Sequence, residues 1–145
     1  MSDFRQLDEQ IMASPQISLA DLASARALGV RLVINNRPEG ESDDQTPGDV
    51  IEQAARAAGM DYLAIPITHS GFSHGQVAAM AEALAANEGP ILAYCRSGTR
   101  STLLWALAQA SRGHDPDALA RSAMHAGYDL TPVRSMMDML AANRG

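Results

Sequence analysis

The only cysteine of this chain, Cys95, opens the run Cys95-Arg96-Ser97-Gly98-Thr99-Arg100-Ser101 and follows the apolar stretch Pro90-Ile91-Leu92-Ala93-Tyr94. A short buried strand that ends in Cys, passes a Gly and re-enters a helix at Arg-Ser sets the sulfur above backbone N–H groups at a helix N-terminus. Those groups and the helix dipole favour negative charge, so they attract oxyanions and favour a thiolate over a thiol. The backbone from Arg96 through Ser97, Gly98 and Thr99 forms the cradle. Arg100 adds a planar cation able to grip an oxyanion with two parallel bonds, and Ser101 carries a hydroxyl that could donate to the sulfur or to a leaving atom. A lone cysteine is more often a small core residue. These neighbours make Cys95 a candidate nucleophile instead.

Spacing and proton supply bear on the reaction. Four residues separate Cys95 from Arg100, one fewer than in the Cys-x5-Arg loop of cysteine-dependent phosphatases. The shorter Cys-x-x-Gly-x-Arg ring resembles that of rhodanese-type sulfurtransferases and leaves less room for a tetrahedral phosphate. Cleaving an alkyl phosphate also requires an acid for the departing oxygen. Sulfite and thiolates leave without one at neutral pH, so a cradle lacking an acid can still carry sulfur transfer.

Three further residues belong to the candidate site. Asn36 and Arg37 follow an apolar strand at its carboxyl end, the side on which open α/β sheets build their sites, and could share in binding an anion; a plain Asn-Arg-Pro turn accounts for them equally well. His69 could donate a proton from a surface loop. Glu39, Glu41, Asp43 and Asp44 read as a solvated acidic loop. They have no partner at diagnostic ligand spacing, so neither a metal nor a cofactor is expected.

The elements that must position these residues alternate between strand-like and helix-like, which predicts an α/β layer fold. Ser18-Leu19-Ala20-Asp21 is a capping box whose helix should turn Leu19, Leu22, Ala25 and Leu28 inward before Gly29. Val30 to Ile34 reads as a buried strand, and Thr46-Pro47-Gly48-Asp49 as a helix start with Pro at its first position, its face carried by Ile51, Ala54, Ala55 and Ala58. Tyr62 to Ile67 reads as the next strand. Ser73 and Gln76 form a second capping box, with Val77, Met80, Ala81 and Leu84 on one face. After the loop, Leu103, Leu104, Leu107 and Ala108 form an apolar stripe that anchors the cradle on a core helix. Asp115-Pro116 and Thr131-Pro132 start two closing helices, with Leu119, Ala123, Val133, Met136, Met137 and Leu140 buried.

Composition narrows the rest. The chain has 145 residues, a formal net charge of −6 and no run of eighteen apolar residues, so a single domain spanning residues 1–145 without a membrane span is expected. The acidic balance, with no basic cluster interleaved with aromatics, argues against nucleic acid. Met1-Ser2-Asp3-Phe4-Arg5 lacks a basic stretch followed by an apolar run, which predicts a cytoplasmic location.

Three segments together, Met12 to Ser18, Val33 to Glu41 and Ala93 to Ser101, resemble the phosphatase-like domain of the β-lactamase-hydrolase-like proteins, and the resemblance spans nearly the whole chain. It implies a dual-specificity or tyrosine-phosphatase-like α/β fold with a central, mostly parallel sheet flanked by helices. Members are described as phosphatases or as sulfurtransferases, and some are fused to a persulfide dioxygenase, which implies such an enzyme as a partner. By this resemblance Cys95 matches the nucleophile, Arg100 the oxyanion-binding arginine and Ser101 the following hydroxyl. Two positions depart from the phosphatase pattern: Tyr94 stands where a His precedes the Cys, and His69 stands where the general-acid Asp follows an Ile-Pro pair. The expectation is therefore sulfur transfer from a small sulfane donor through a Cys95 persulfide. The alternatives are a cysteine-dependent phosphatase taking a phosphate-like anion, and a non-catalytic anion-binding domain.

Overall fold

The computed structural model describes residues 2–143. Its strands are β1 (Arg5–Gln6), β2 (Ile11–Ser14), β3 (Leu32–Asn35), β4 (Asp61–Ala64) and β5 (Ile91–Tyr94). The helices are α1 (Leu19–Ala27), α2 (Gly48–Ala57), α3 (His74–Ala86), α4 (Thr99–Ser111), α5 (Pro116–His125) and α6 (Arg134–Asn143), the last entered through a 3-10 turn at Thr131–Val133. The strands lie in the order β1-β2-β5-β3-β4. The pairs β2–β5, β5–β3 and β3–β4 are parallel, and β1 is an antiparallel edge.

The three central strands are buried on both faces, so they read as unbroken apolar runs rather than as alternating ones. The alternation is still there in the packing, because successive side chains point to opposite faces. Ile11, Ala13, Leu32, Ile34, Ile91 and Ala93 join the core beneath α3 to α6. Met12, Val33, Leu92 and Tyr94 join the core beneath α1 and α2.

Both capping boxes form: Asp21 N–H donates to Ser18 Oγ (3.1 Å) and Ser18 N–H to Asp21 Oδ2 (2.8 Å), and Ser73 and Gln76 repeat the pattern. In α1 only Leu22 and Ala25 are buried, while Leu19 and Leu28 are more than half exposed. The helix is nine residues long, and its two end leucines project beyond the core that its middle turn reaches.

Other boundaries also differ from expectation. The strand expected from Tyr62 to Ile67 keeps its ladder from Asp61 to Ala64, and Pro66 sits exposed on the open edge, where a missing N–H costs no ladder bond. Ile65 and Ile67 stay pinned to the exit of β3, donating to Asn35 O and Asn36 O, each at 2.9 Å. Pro47 caps α2 instead of occupying its first turn. The first free N–H of that helix, at Gly48, donates to Glu39 Oε1 (2.8 Å), so the acidic loop folds back onto α2. The apolar stripe expected on α4 is wider than a stripe: every residue from Ser101 to Ala110 is buried, because α3, α5 and α6 surround the helix. That burial gives the Cys95 loop a rigid floor. No helix among the described residues is long and apolar enough to cross a membrane.

Candidate functional site

Three parallel strands end side by side, with Ser14, Tyr94 and Asn35 in register, and each hands the next residues to the same spot. Cys95 N–H donates to Ser14 O (3.3 Å), Asn36 N–H to Tyr94 O (2.8 Å) and Gln16 N–H to Arg96 O (3.3 Å), so the exits of β2 and β3 brace the loop leaving β5. Gly98 turns that loop into α4 with φ +90°, a left-handed conformation that favours glycine. Its N–H points back at Cys95 Sγ, 3.1 Å away. Cys95 is wholly buried at the floor of this loop.

The residues around the sulfur divide into floor and rim. Arg96, Ser97 and Thr99 are exposed on the rim, where Ser97 Oγ donates to Thr99 Oγ1 (3.0 Å). Ser101 is fully buried, but its hydroxyl makes no hydrogen bond to a protein atom, so the bond to sulfur expected of it is not formed. Tyr94 lies in the core on the α1/α2 side, where burial pushes its phenol up, away from ionisation. His69 is exposed in the loop after β4.

Arg100 is held by an acid that composition alone consigned to solvent. Glu41 accepts Arg100 Nη1 at 2.6 Å through Oε2 and Arg100 Nη2 at 2.8 Å through Oε1, and Arg100 Nη1 also donates to Ile67 O (2.8 Å). A guanidinium has five N–H groups in a fixed plane. Glu41 and Ile67 use both hydrogens of Nη1 and one of Nη2, which leaves Nε–H and the other Nη2–H side by side. That free edge is itself a two-toothed fork for an oxyanion. The hydrogen bond to Glu41 is the main influence raising the Arg100 pKa, and the nearby Cys95 sulfur adds to it. Arg100 in turn, with Arg37 helping, holds the Glu41 carboxyl down at about 2. Glu41 is therefore a fixed anion at neutral pH and cannot serve as a general acid.

Arg37 is engaged by protein groups. Its side chain is 4% exposed, and its three nitrogens donate to Glu41 Oε1 (2.9 Å), Gln16 Oε1 (3.0 Å) and Ser42 Oγ (3.0 Å). It braces Glu41, which braces Arg100. The Asn36 amide donates to Ile65 O (2.9 Å) and ties β3 to the segment after β4, while its Oδ1 is buried with no hydrogen-bond partner. Glu41 is the residue that sequence reasoning missed; the spacing of four from Arg37 was its one local signal, and nothing local pointed to Arg100.

Residues 3–112 match the family model described as beta-lactamase hydrolase-like protein, phosphatase-like domain. The chain belongs to this family. A beta-lactamase hydrolase-like protein of Agrobacterium fabrum is 38% identical over 108 residues, covering 74% of this chain and 25% of that protein. One from Xylella fastidiosa is 32% identical over 125 residues, covering 86% and 29%. The chain thus spans little more than a quarter of the length of these curated relatives. Among solved structures, a candidate phosphatase from Neisseria meningitidis superposes with a TM-score of 0.84 at 33% identity, covering 97% of this chain and 99% of that one. The kinase associated phosphatase superposes with a TM-score of 0.72 at 15% identity, covering 99% and 93%, a likeness of fold alone. The α/β fold is the dual-specificity and tyrosine-phosphatase-like one, as the sequence resemblance implied.

Proposed function

We propose that this domain is a cysteine-dependent enzyme of the phosphatase type that acts on anions whose leaving group departs without a proton. The observation that carries this reading is the pairing of Cys95 and Gly98 N–H with the free edge of Arg100, beside a Glu41 that is ionised and so supplies no proton. The names of its relatives and structural neighbours support a phosphatase-type reading over the sulfur transfer expected first from the sequence; aryl phosphates are our choice of substrate class, because their leaving group needs no acid. Cys95 thiolate attacks phosphorus, the P–O bond breaks with its electron pair on the aryl oxide, and water then releases phosphate from the thiophosphate. Gly98 N–H and the Arg100 edge stabilise charge on the transferring group.

A second reading, sulfur transfer, is favoured by one specific feature, the four-residue spacing between Cys95 and Arg100. There the thiolate attacks the outer sulfur of thiosulfate, the S–S bond breaks with its pair on sulfite, and Cys95 keeps the sulfur as a persulfide for a thiol or cyanide acceptor. A persulfide dioxygenase as partner belongs to this reading.

Aryl phosphate, alkyl phosphate, and thiosulfate with cyanide, assayed side by side, test both. The first reading expects aryl turnover far above alkyl, lost in Cys95→Ser, with a trapped adduct of one phosphoryl group. An adduct of one sulfur from thiosulfate, without aryl turnover, transfers the assignment to sulfur chemistry. Equal turnover of alkyl and aryl esters would mean that a residue such as His69 serves as an acid and would overturn the reading, and binding of the anions without any adduct would leave a recognition domain.

A further inference from the structure

The peptide joining Ser97 to Gly98 is gripped at both ends. Its N–H, that of Gly98, points at Cys95 Sγ (3.1 Å), and its carbonyl, that of Ser97, accepts Tyr128 Oη (3.2 Å). A peptide unit is planar, with N–H and C=O directed oppositely, so holding one end aims the other. Rotated the other way, the same peptide would turn its carbonyl toward the sulfur and repel a thiolate.

Tyr128 follows α5 and lies outside residues 3–112, the part of the chain that carries the family match. Burial leaves it 7% exposed. Its ring stacks 5.2 Å from the Arg5 guanidinium, which also donates to Ala126 O (3.3 Å) and so ties the edge strand β1 to the segment carrying the tyrosine. The fit against the loop is close: a Cβ at position 98 would stand 2.2 Å from Tyr128 Oη.

We infer that Tyr128 is a positioning residue for the cradle: its hydroxyl holds the Ser97–Gly98 peptide so that Gly98 N–H stays on Cys95. The inference rests on Cys95 being the nucleophile. A hydrogen bond to the thiolate favours the charged form, so losing the aim makes the sulfur less reactive where thiol and thiolate compete. Neutral and alkaline pH should therefore respond differently.

The test is the rate of Cys95 alkylation by iodoacetamide in wild type, Tyr128→Phe and Tyr128→Leu, from neutral to alkaline pH, with thermal melting followed in parallel. Tyr128→Phe removes one oxygen and keeps the ring under Arg5, so its melting should stay within about 5 °C of wild type. Its alkylation at neutral pH should fall about 5-fold, in keeping with one modest hydrogen bond, and converge on the wild-type rate at alkaline pH. An unchanged rate, a faster rate from a loosened site, or a deficit that persists undiminished at alkaline pH each overturns the assignment. So does a deficit confined to Tyr128→Leu, which would make the effect one of packing. Turnover that survives Cys95→Ser instead overturns the reading beneath it.

Discussion

Replacing Glu41 by Gln tests the brace behind Arg100 with almost no change of shape. The carboxylate accepts three hydrogen bonds, at 2.6 and 2.8 Å from Arg100 and 2.9 Å from Arg37. A carboxamide has one oxygen, so its NH2 must confront a guanidinium N–H, donor against donor. Arg37 is 4% exposed and cannot turn to solvent. Removing one partner of a fully buried ion pair costs about 3–5 kcal/mol, because the other charge is left uncompensated. The Glu41 side chain is 18% exposed, so water offsets part of that loss. The expected destabilisation is about 2–3 kcal/mol by urea unfolding at pH 7, or roughly 5–10 °C in Tm for a domain of this size.

The pH dependence supplies the sign. The folded carboxyl sits at about 2, below the ordinary 4.5, mainly through the Arg100 hydrogen bond. A depressed folded value means stability that is fully present above the unfolded pKa and is lost as pH falls through the folded one. The gap between wild type and Glu41→Gln should therefore hold from pH 7 to about pH 5 and narrow toward pH 2, by about 1–2 kcal/mol once solvent screening is allowed for. Turnover at pH 7 should drop roughly 10- to 100-fold, since the Arg100 fork would no longer be fixed against the reacting group. A stability gap under about 0.5 kcal/mol at pH 7, the range of an ordinary surface change, would refute the brace. So would a full gap that stays flat down to pH 3.

The side-on edge of Arg100 is a fork that an ammonium cannot reproduce, so Arg100→Lys should cost about 10²–10³ in turnover, with Arg96→Lys on the exposed rim serving as a kinetic control near the wild-type rate. Gly98→Ala should lower stability by about 2 kcal/mol or more in urea, from left-handed strain together with the clash against Tyr128 Oη; a neutral result would mean that the turn is not as described. Arg37→Ala should reduce stability by about 2 kcal/mol at pH 7, since Glu41 loses one charged hydrogen bond and keeps the two from Arg100, and should reduce turnover while leaving the dissociation constant for inorganic phosphate within a few-fold of wild type, because the Arg37 bonds all go to protein groups. A loss of phosphate binding in that variant as large as in Arg100→Lys would return Arg37 to the anion site.

What could be read in the sequence was what depends on near neighbours. Ser18 with Asp21 and Ser73 with Gln76 are three apart and announce their helices, and the Cys95 run carries its strand, turn and helix start within a few residues. The hairpin of β1 and β2 went unseen as secondary structure because β1 is two residues long, too few to show a period, and β2, Ile-Met-Ala-Ser, holds one β-branched residue and no aromatic. The acidic loop was misjudged for a different reason. Glu39, Glu41, Asp43 and Asp44 look alike by composition, but Glu39 caps α2 and Glu41 meets Arg100, which lies 59 residues further along the chain. Likewise Tyr128 reaches Ser97 across 31 residues. The proposed nucleophile is therefore local to one motif, while the groups that hold its surroundings come from the exits of β2 and β3 and from the segment after α5. Substitutions at Glu41, Arg37 or Tyr128 leave the motif intact, yet each acts on a contact within one or two bonds of the sulfur or of Arg100. An intact Cys95–Arg100 motif is thus insufficient evidence of an active cradle in a relative that lacks these braces.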